Sequence, residues 1–192
     1  NVKAIVVACN TATSAAVAEM RKLYEDIAVV GIEPAVKPAV RYKKGSRVLV
    51  LATPVTLREE KFRKLAASYE TEAEIIPVPM EKLADMIEAG TGEKELESYI
   101  KEKLSDEKYK NPDSVVLGCT HYAFVSEIIS KILGDKVKIF DGGTGVAKET
   151  RRKLEENNAL NSGEGSIVFK SSGDAEKLKQ FAELYIEGVA LI

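Results

Sequence analysis

The chain has 192 residues, enough for one large domain or two small ones with cores of their own. Hydrophobic residues make up 45% and charged residues 30%, with a net charge of −2, the balance of an ordinary globular protein. With no basic stripe, no apolar run long enough for a bilayer and no secretory leader, no nucleic-acid partner and no membrane partner are expected, and a cytoplasmic location is.

In chain order, short β-branched runs alternate with longer helical patterns, which predicts a parallel α/β protein. Residues 4–8 read as a buried strand and 14–25 as a helix, with Ser14 as its N-cap and Val17, Met20 and Tyr24 on one face. A strand at 28–32, a short helix at 34–42 and a strand at 47–52 follow. Next come a helix at 57–68, a strand at 74–78, and helices at 80–89 and 93–104. Asn111-Pro112-Asp113 marks a loop. Beyond it lie a strand at 114–117, a helix at 124–133, a strand at 137–140 and a helix at 146–157. The last expected elements are a strand at 166–170 and a helix at 175–188. Asp141-Gly142-Gly143-Thr144-Gly145 precedes a helix but lacks the lysine and full spacing of a phosphate cradle, so it reads as a loop.

Two stretches repeat each other chemically. Residues 4–11 run from a strand into Cys9-Asn10-Thr11, and residues 114–121 run from a strand into Cys119-Thr120-His121; each then enters a helix. Both cysteines therefore fall at the carboxyl end of a strand, where open α/β sheets bind their ligands. With two cysteines and one histidine in the chain, neither a disulfide scaffold nor a zinc site is expected, and no metal is assigned. The thiols are either core residues or chemical ones. Polar neighbours at strand ends, where apolar side chains would pack more readily, favour chemistry. A thiol titrates near pH 8.5, and a helix N-terminus favours its anion. A thiolate and a thiol on opposite sides of a carbon could remove a proton from one face and deliver one to the other.

These residues carry a resemblance. Ala8-Cys9-Asn10-Thr11-Ala12-Thr13 and Leu117-Gly118-Cys119-Thr120-His121-Tyr122 resemble the two cysteine signatures of the glutamate racemases, in the aspartate/glutamate racemase superfamily. Gly31-Ile32-Glu33-Pro34-Ala35, Ala52-Thr53 with Thr56, Val78-Pro79 through Glu88-Ala89-Gly90, and Ser171-Ser172-Gly173-Asp174 resemble further family segments. The resemblance implies cofactor-independent interconversion of L- and D-glutamate, supplying D-glutamate for peptidoglycan. It implies Cys9 and Cys119 as the acid/base thiols, with His121 and Glu88 assisting the second. It also implies Asn10, Thr11, Thr56, Thr120 and His121 as substrate-binding positions. The small-molecule partner would be glutamate, and a homodimer is left open. Other members of the superfamily, acting on aspartate, hydantoin or maleate, keep the two cysteines; an inactive binding fragment is the remaining alternative.

The implied architecture is two pseudo-symmetric α/β lobes with the active site between them. The first would comprise residues 1–35 and 142–192, and the second residues 36–141. The family's opening strand with its Asp-Ser-Gly turn and its later Tyr-Gly pair are not found in these residues. A segment of roughly 60 residues, two βαβ-sized units, is therefore expected to be missing before Asn1, and with it the aspartate that assists the first thiol.

Overall fold

A computed structural model describes residues 2–186. Residues up to Leu160 form one compact unit, and Asn161–Ile192 form another.

The first unit is built on parallel strands joined through helices. Strand β1 (Ala4–Val7) pairs with β2 (Ala28–Gly31) in the register Ala4 to Ala28, and helix α1 (Asn10–Leu23) makes the crossover. A second sheet has the order β4-β3-β5-β6, from Glu74–Pro79, Arg47–Ala52, Ser114–Leu117 and Lys138–Asp141, all parallel. Strands β3 and β5 lie inside this sheet, and their sequences, RVLVLA and SVVL, are the unbroken apolar runs that burial on both faces demands. Val48 to Ala52 are fully buried, and Val115 and Val116 likewise. Helix α2 (Val36–Tyr42) lays Val36, Ala39 and Val40 against Val48, Val50 and Val116, and Phe62 of α4 (Glu60–Ala67) closes the same cluster.

The loop before β5 also locks the sheet. Asp113 accepts the backbone N–H of Arg47 at 2.9 Å and the Lys43 ammonium at 2.6 Å, tying the starts of β3 and β5 together. The Lys43 bond first, then the Arg47 N–H, holds the Asp113 carboxyl below the usual carboxylate range.

Several expectations are corrected. Helix α1 begins at Asn10 with Cys9 as its N-cap, so Ser14 lies inside the helix. The helix expected at 57–68 is two helices, α3 (Pro54–Arg58) and α4, because Glu59 adopts an extended conformation between them. Strand β1 is less buried than its sequence suggests: Val6 is 43% exposed, and β2 is its only strand partner among the described residues. Residues 166–170 form no strand; Ile167 and Val168 are 61% and 75% exposed, and β-propensity without a pairing partner does not make a strand.

The remaining helices of the first unit are α5 (Leu83–Glu88), α6 (Glu93–Lys103), α7 (Ser126–Leu133) and α8 (Gly143–Glu156). In the second unit, α9 (Ala175–Ile186) is capped by Asp174, whose carboxylate accepts the N–H groups of Glu176 and Lys177 at 2.9 and 3.0 Å. The expected end of that helix at 187–188 lies outside the described residues. No helix among the described residues is long and apolar enough to cross a membrane.

Candidate active site

Each cysteine ends a strand and begins a helical turn. Cys9 has the extended backbone of an N-cap (φ −105°, ψ 126°), and its carbonyl accepts the Thr13 N–H at 2.8 Å. Cys119 has the same conformation (φ −139°, ψ 138°), with its carbonyl accepting from Tyr122 at 3.1 Å as a 3-10 turn over Thr120–Val125 begins. Both are free thiols. Gly118 allows the second arrangement. A Cβ there would stand 2.8 Å from the Ala52 Cβ and 3.0 Å from the Leu51 carbonyl, whereas the Gly118 N–H donates to that carbonyl at 2.7 Å. The end of β5 can therefore lie flat against β3 only without a side chain.

The two cysteine loops meet. The Thr120 hydroxyl, next to Cys119, donates to the carbonyl of Ala8, next to Cys9, at 2.6 Å. A groove of about 590 Å³ opens beside them, with Asn10, Cys119 and Thr120 at one end and Val146, Ala147 and Leu154 of α8 along a wall. Asn10 is 5% exposed, and its side-chain oxygen has no hydrogen-bond partner. A buried amide oxygen in that state costs free energy unless something answers it.

Cys119 sits in a line of titratable groups. Its sulfur lies 3.7 Å from His121 Nδ1, and His121 Nε2 lies 2.7 Å from Glu88 Oε1. A carboxylate can only accept, so in the neutral imidazole the hydrogen is on Nε2 and the Nδ1 lone pair turns toward the thiol. Glu88 is the last residue of α5, held by the buried Leu83 and Ile87, and Gly90 ends the helix in a left-handed conformation (φ 71°). Tyr122, three residues after Cys119, is fully buried and donates its hydroxyl to the Met80 carbonyl at 3.0 Å. Burial pushes the Cys119 thiol above its ordinary range; N–H bonds from His121 and Tyr122 oppose this, and the nearby Cys9 and Glu88 reinforce it.

Thr11 and Thr56 also come together, hydroxyl to hydroxyl at 3.2 Å, across 45 residues of sequence. Asn10, Thr11, Thr120, His121, Glu88 and both cysteines thus share one end of the first unit, with Thr56 behind Thr11 and 3% exposed. Two contributors were named in sequence only as members of motifs, without a role. Thr13 donates to the Val7 carbonyl at 3.0 Å and accepts from Ile32 N–H at 3.1 Å, joining α1 to the ends of β1 and β2. Thr53 caps α3, with Pro54 at the first helical position; the Thr-Pro-x-Thr spacing was the available signal. In the glycine-rich loop the Gly143 N–H is already taken, by Asp141 Oδ1 at 2.6 Å. Among the described residues, no three His, Cys, Asp or Glu side chains group as metal ligands.

A parallel α/β scaffold with polar groups gathered at strand carboxyl ends defines a protein that acts on a small molecule there. The family model described as Asp/Glu/Hydantoin racemase matches residues 1–150. The glutamate racemase of Clostridium botulinum (strain Alaska E43 / Type E3) is 46% identical over 191 residues, covering 97% of this chain and 74% of that protein. The Escherichia coli glutamate racemase, crystallised with L-glutamate and the activator UDP-MurNAc-ala, superposes with a TM-score of 0.78 at 27% identity, covering 96% of this chain and 71% of that one. The Francisella tularensis subsp. tularensis SCHU S4 enzyme, crystallised with D-glutamate, gives 0.74 at 28% identity, covering 97% and 70%. The chain belongs to the Asp/Glu/Hydantoin racemase family, and so to the amino-acid racemases.

Proposed function

We propose that this protein interconverts L- and D-glutamate with Cys9 and Cys119 as the two acid/base groups. The observation that carries the reading is the Thr120 to Ala8 hydrogen bond of 2.6 Å, which joins the two cysteine loops at one groove. The choice of glutamate is supported by the names of the relatives and by the enantiomers bound in the two crystal structures.

In this mechanism one sulfur, as thiolate, takes the α-hydrogen as a proton, leaving a carbanion whose charge spreads into the α-carboxylate. The other sulfur, as thiol, gives its proton to the opposite face. Each turnover leaves the first sulfur protonated and the second ionised, so the reverse reaction starts from the product state. Because burial keeps Cys119 protonated, it rests as the acid, and His121 backed by Glu88 receives its proton when it must serve as the base. Asn10, Thr11, Thr56 and Thr120 supply the polar groups for the substrate's carboxylates and ammonium. The lobe division into residues 1–35 with 142–192 and residues 36–141 belongs to the same reading, as does a cytoplasmic enzyme delivering D-glutamate to peptidoglycan.

The test is turnover of the full protein on the enantiomers of glutamate and of aspartate, followed by polarimetry. Conversion of glutamate far faster than aspartate is expected. Faster conversion of aspartate, or none of either, would overturn the assignment.

A further inference from the structure

The threonines form a directed chain. Thr53 Oγ1 accepts the Thr56 N–H at 3.3 Å as the cap of α3, and donates its single hydrogen to Thr56 Oγ1 at 3.1 Å. The Thr56 and Thr11 hydroxyls lie 3.2 Å apart and either could donate; because Thr56 is 3% exposed, donation from Thr56 to Thr11 avoids leaving its hydrogen buried without an acceptor. Thr11, having accepted from Thr56, keeps a hydrogen for which no protein acceptor occurs among the described residues. A hydroxyl that accepts a hydrogen bond becomes a better donor, so the chain strengthens outward.

The outer end of this chain lies in the first turn of α1, two residues from Cys9. No acidic side chain occupies that turn. Beside Thr11 is Asn10, buried and with an unanswered side-chain oxygen. A ligand that answers both groups carries a donor for the Asn10 oxygen and an acceptor for the free hydrogen of Thr11, as the ammonium and carboxylate of an amino acid do. An anionic oxygen is the strongest acceptor available.

We propose that Thr53 is a positioning residue of the site: it sets the direction of a Thr53–Thr56–Thr11 relay so that Thr11 donates to a carboxylate of the substrate. This rests on the racemase reading and deepens it. Thr53 touches no substrate itself; it acts through the two hydroxyls beyond it. A relay pointing the other way would turn the Thr11 lone pairs toward the anion and repel it.

The experiment is a double-mutant cycle on the full protein, measuring KM and kcat for glutamate together with melting temperature. Variants are Thr53→Ala, Thr53→Ser, Thr11→Val, and Thr53→Ala combined with Thr11→Val. Losing the oriented donor should raise KM about tenfold, the size of a hydrogen bond to a charged group, with kcat little changed. Thr53→Ser, which keeps cap and donor, should restore the wild-type KM. In the Thr11→Val background, Thr53→Ala should raise KM no further, because its effect has nowhere to act. If the two KM effects multiply, or if Thr53→Ala lowers the melting temperature and leaves KM alone, Thr53 is only a helix cap and the proposal falls. The racemase reading is judged separately on the wild type: binding of glutamate by calorimetry without loss of its α-hydrogen ends that reading, and the same cycle is then scored in Kd.

Discussion

Two cysteine stations with the same local plan have different surroundings. Cys119 follows β5, an interior strand whose four residues are all buried, and it faces a histidine backed by a glutamate. Cys9 follows β1, paired on one side by β2 among the described residues, and its thiol is exposed. Strand, cysteine, polar pair and helix recur in both sequences, but packing decides the chemistry. Burial makes one thiol hold its proton and demands a partner to remove it.

The largest effects should come from the sulfurs. Cys9→Ser and Cys119→Ser should each cut racemisation by about 10²–10⁴-fold, the usual weight of a general acid or base. Each variant should still eliminate the leaving group from one enantiomer of a β-substituted glutamate, since elimination needs one base. If both variants retain the same enantiomer, the sulfurs do not act on opposite faces.

The two strands should differ as sharply in stability. Leu51→Ala, in a fully buried position of β3 beside β5, should cost about 2–5 kcal/mol. In the chain of these 192 residues, Val6→Ala, at a position 43% exposed, should stay within about 0.5 kcal/mol. Urea unfolding of both variants measures the contrast; equal losses would mean that β1 is as well packed as β3.

A smaller effect separates the stations chemically. His121→Gln should slow elimination from the enantiomer that Cys119 deprotonates by about tenfold, toward the low end of general-base effects, and spare the other. Elimination is irreversible, so the two enantiomers are not bound to change together. Equal slowing of both would remove His121 from the Cys119 side.

Alkylation by iodoacetamide should follow the same order. At neutral pH Cys9 should react first, and Cys119 should need pH above the ordinary thiol value of about 8.5. The sign follows from the raised Cys119 value: at any given pH a smaller fraction is thiolate. Its contribution to stability is likewise complete below the ordinary thiol pKa and is lost as pH rises through the raised one. Peptide mapping of the labelled protein reads the order directly.

Much of this was legible in sequence because parallel sheets write themselves plainly. The unbroken runs 47–52 and 114–117 announced buried strands, and the cysteines after 4–8 and 114–117 fell at strand ends for that reason. What failed was anything decided by partners. Residues 166–170 have strand propensity and pair with no strand among the described residues, and the extended Glu59 divides the helix expected at 57–68. Thr56 was flagged, yet its bond to Thr11 joins residues 45 apart, and the cap and hydroxyl contact of Thr53 emerge only in the folded chain. Short-range spacing reveals stations; long-range contacts determine how each is tuned.

The most direct test of two bases on opposite faces is the distribution of deuterium early in the reaction. The full protein is given L-glutamate in deuterated water, and both enantiomers are recovered before a few per cent has turned over. Two thiols predict D-glutamate carrying solvent deuterium at the α-carbon while the remaining L-glutamate keeps its hydrogen. Deuterium appearing equally in both enantiomers would mean that one group serves both faces, and the pairing of Cys9 with Cys119 would be wrong.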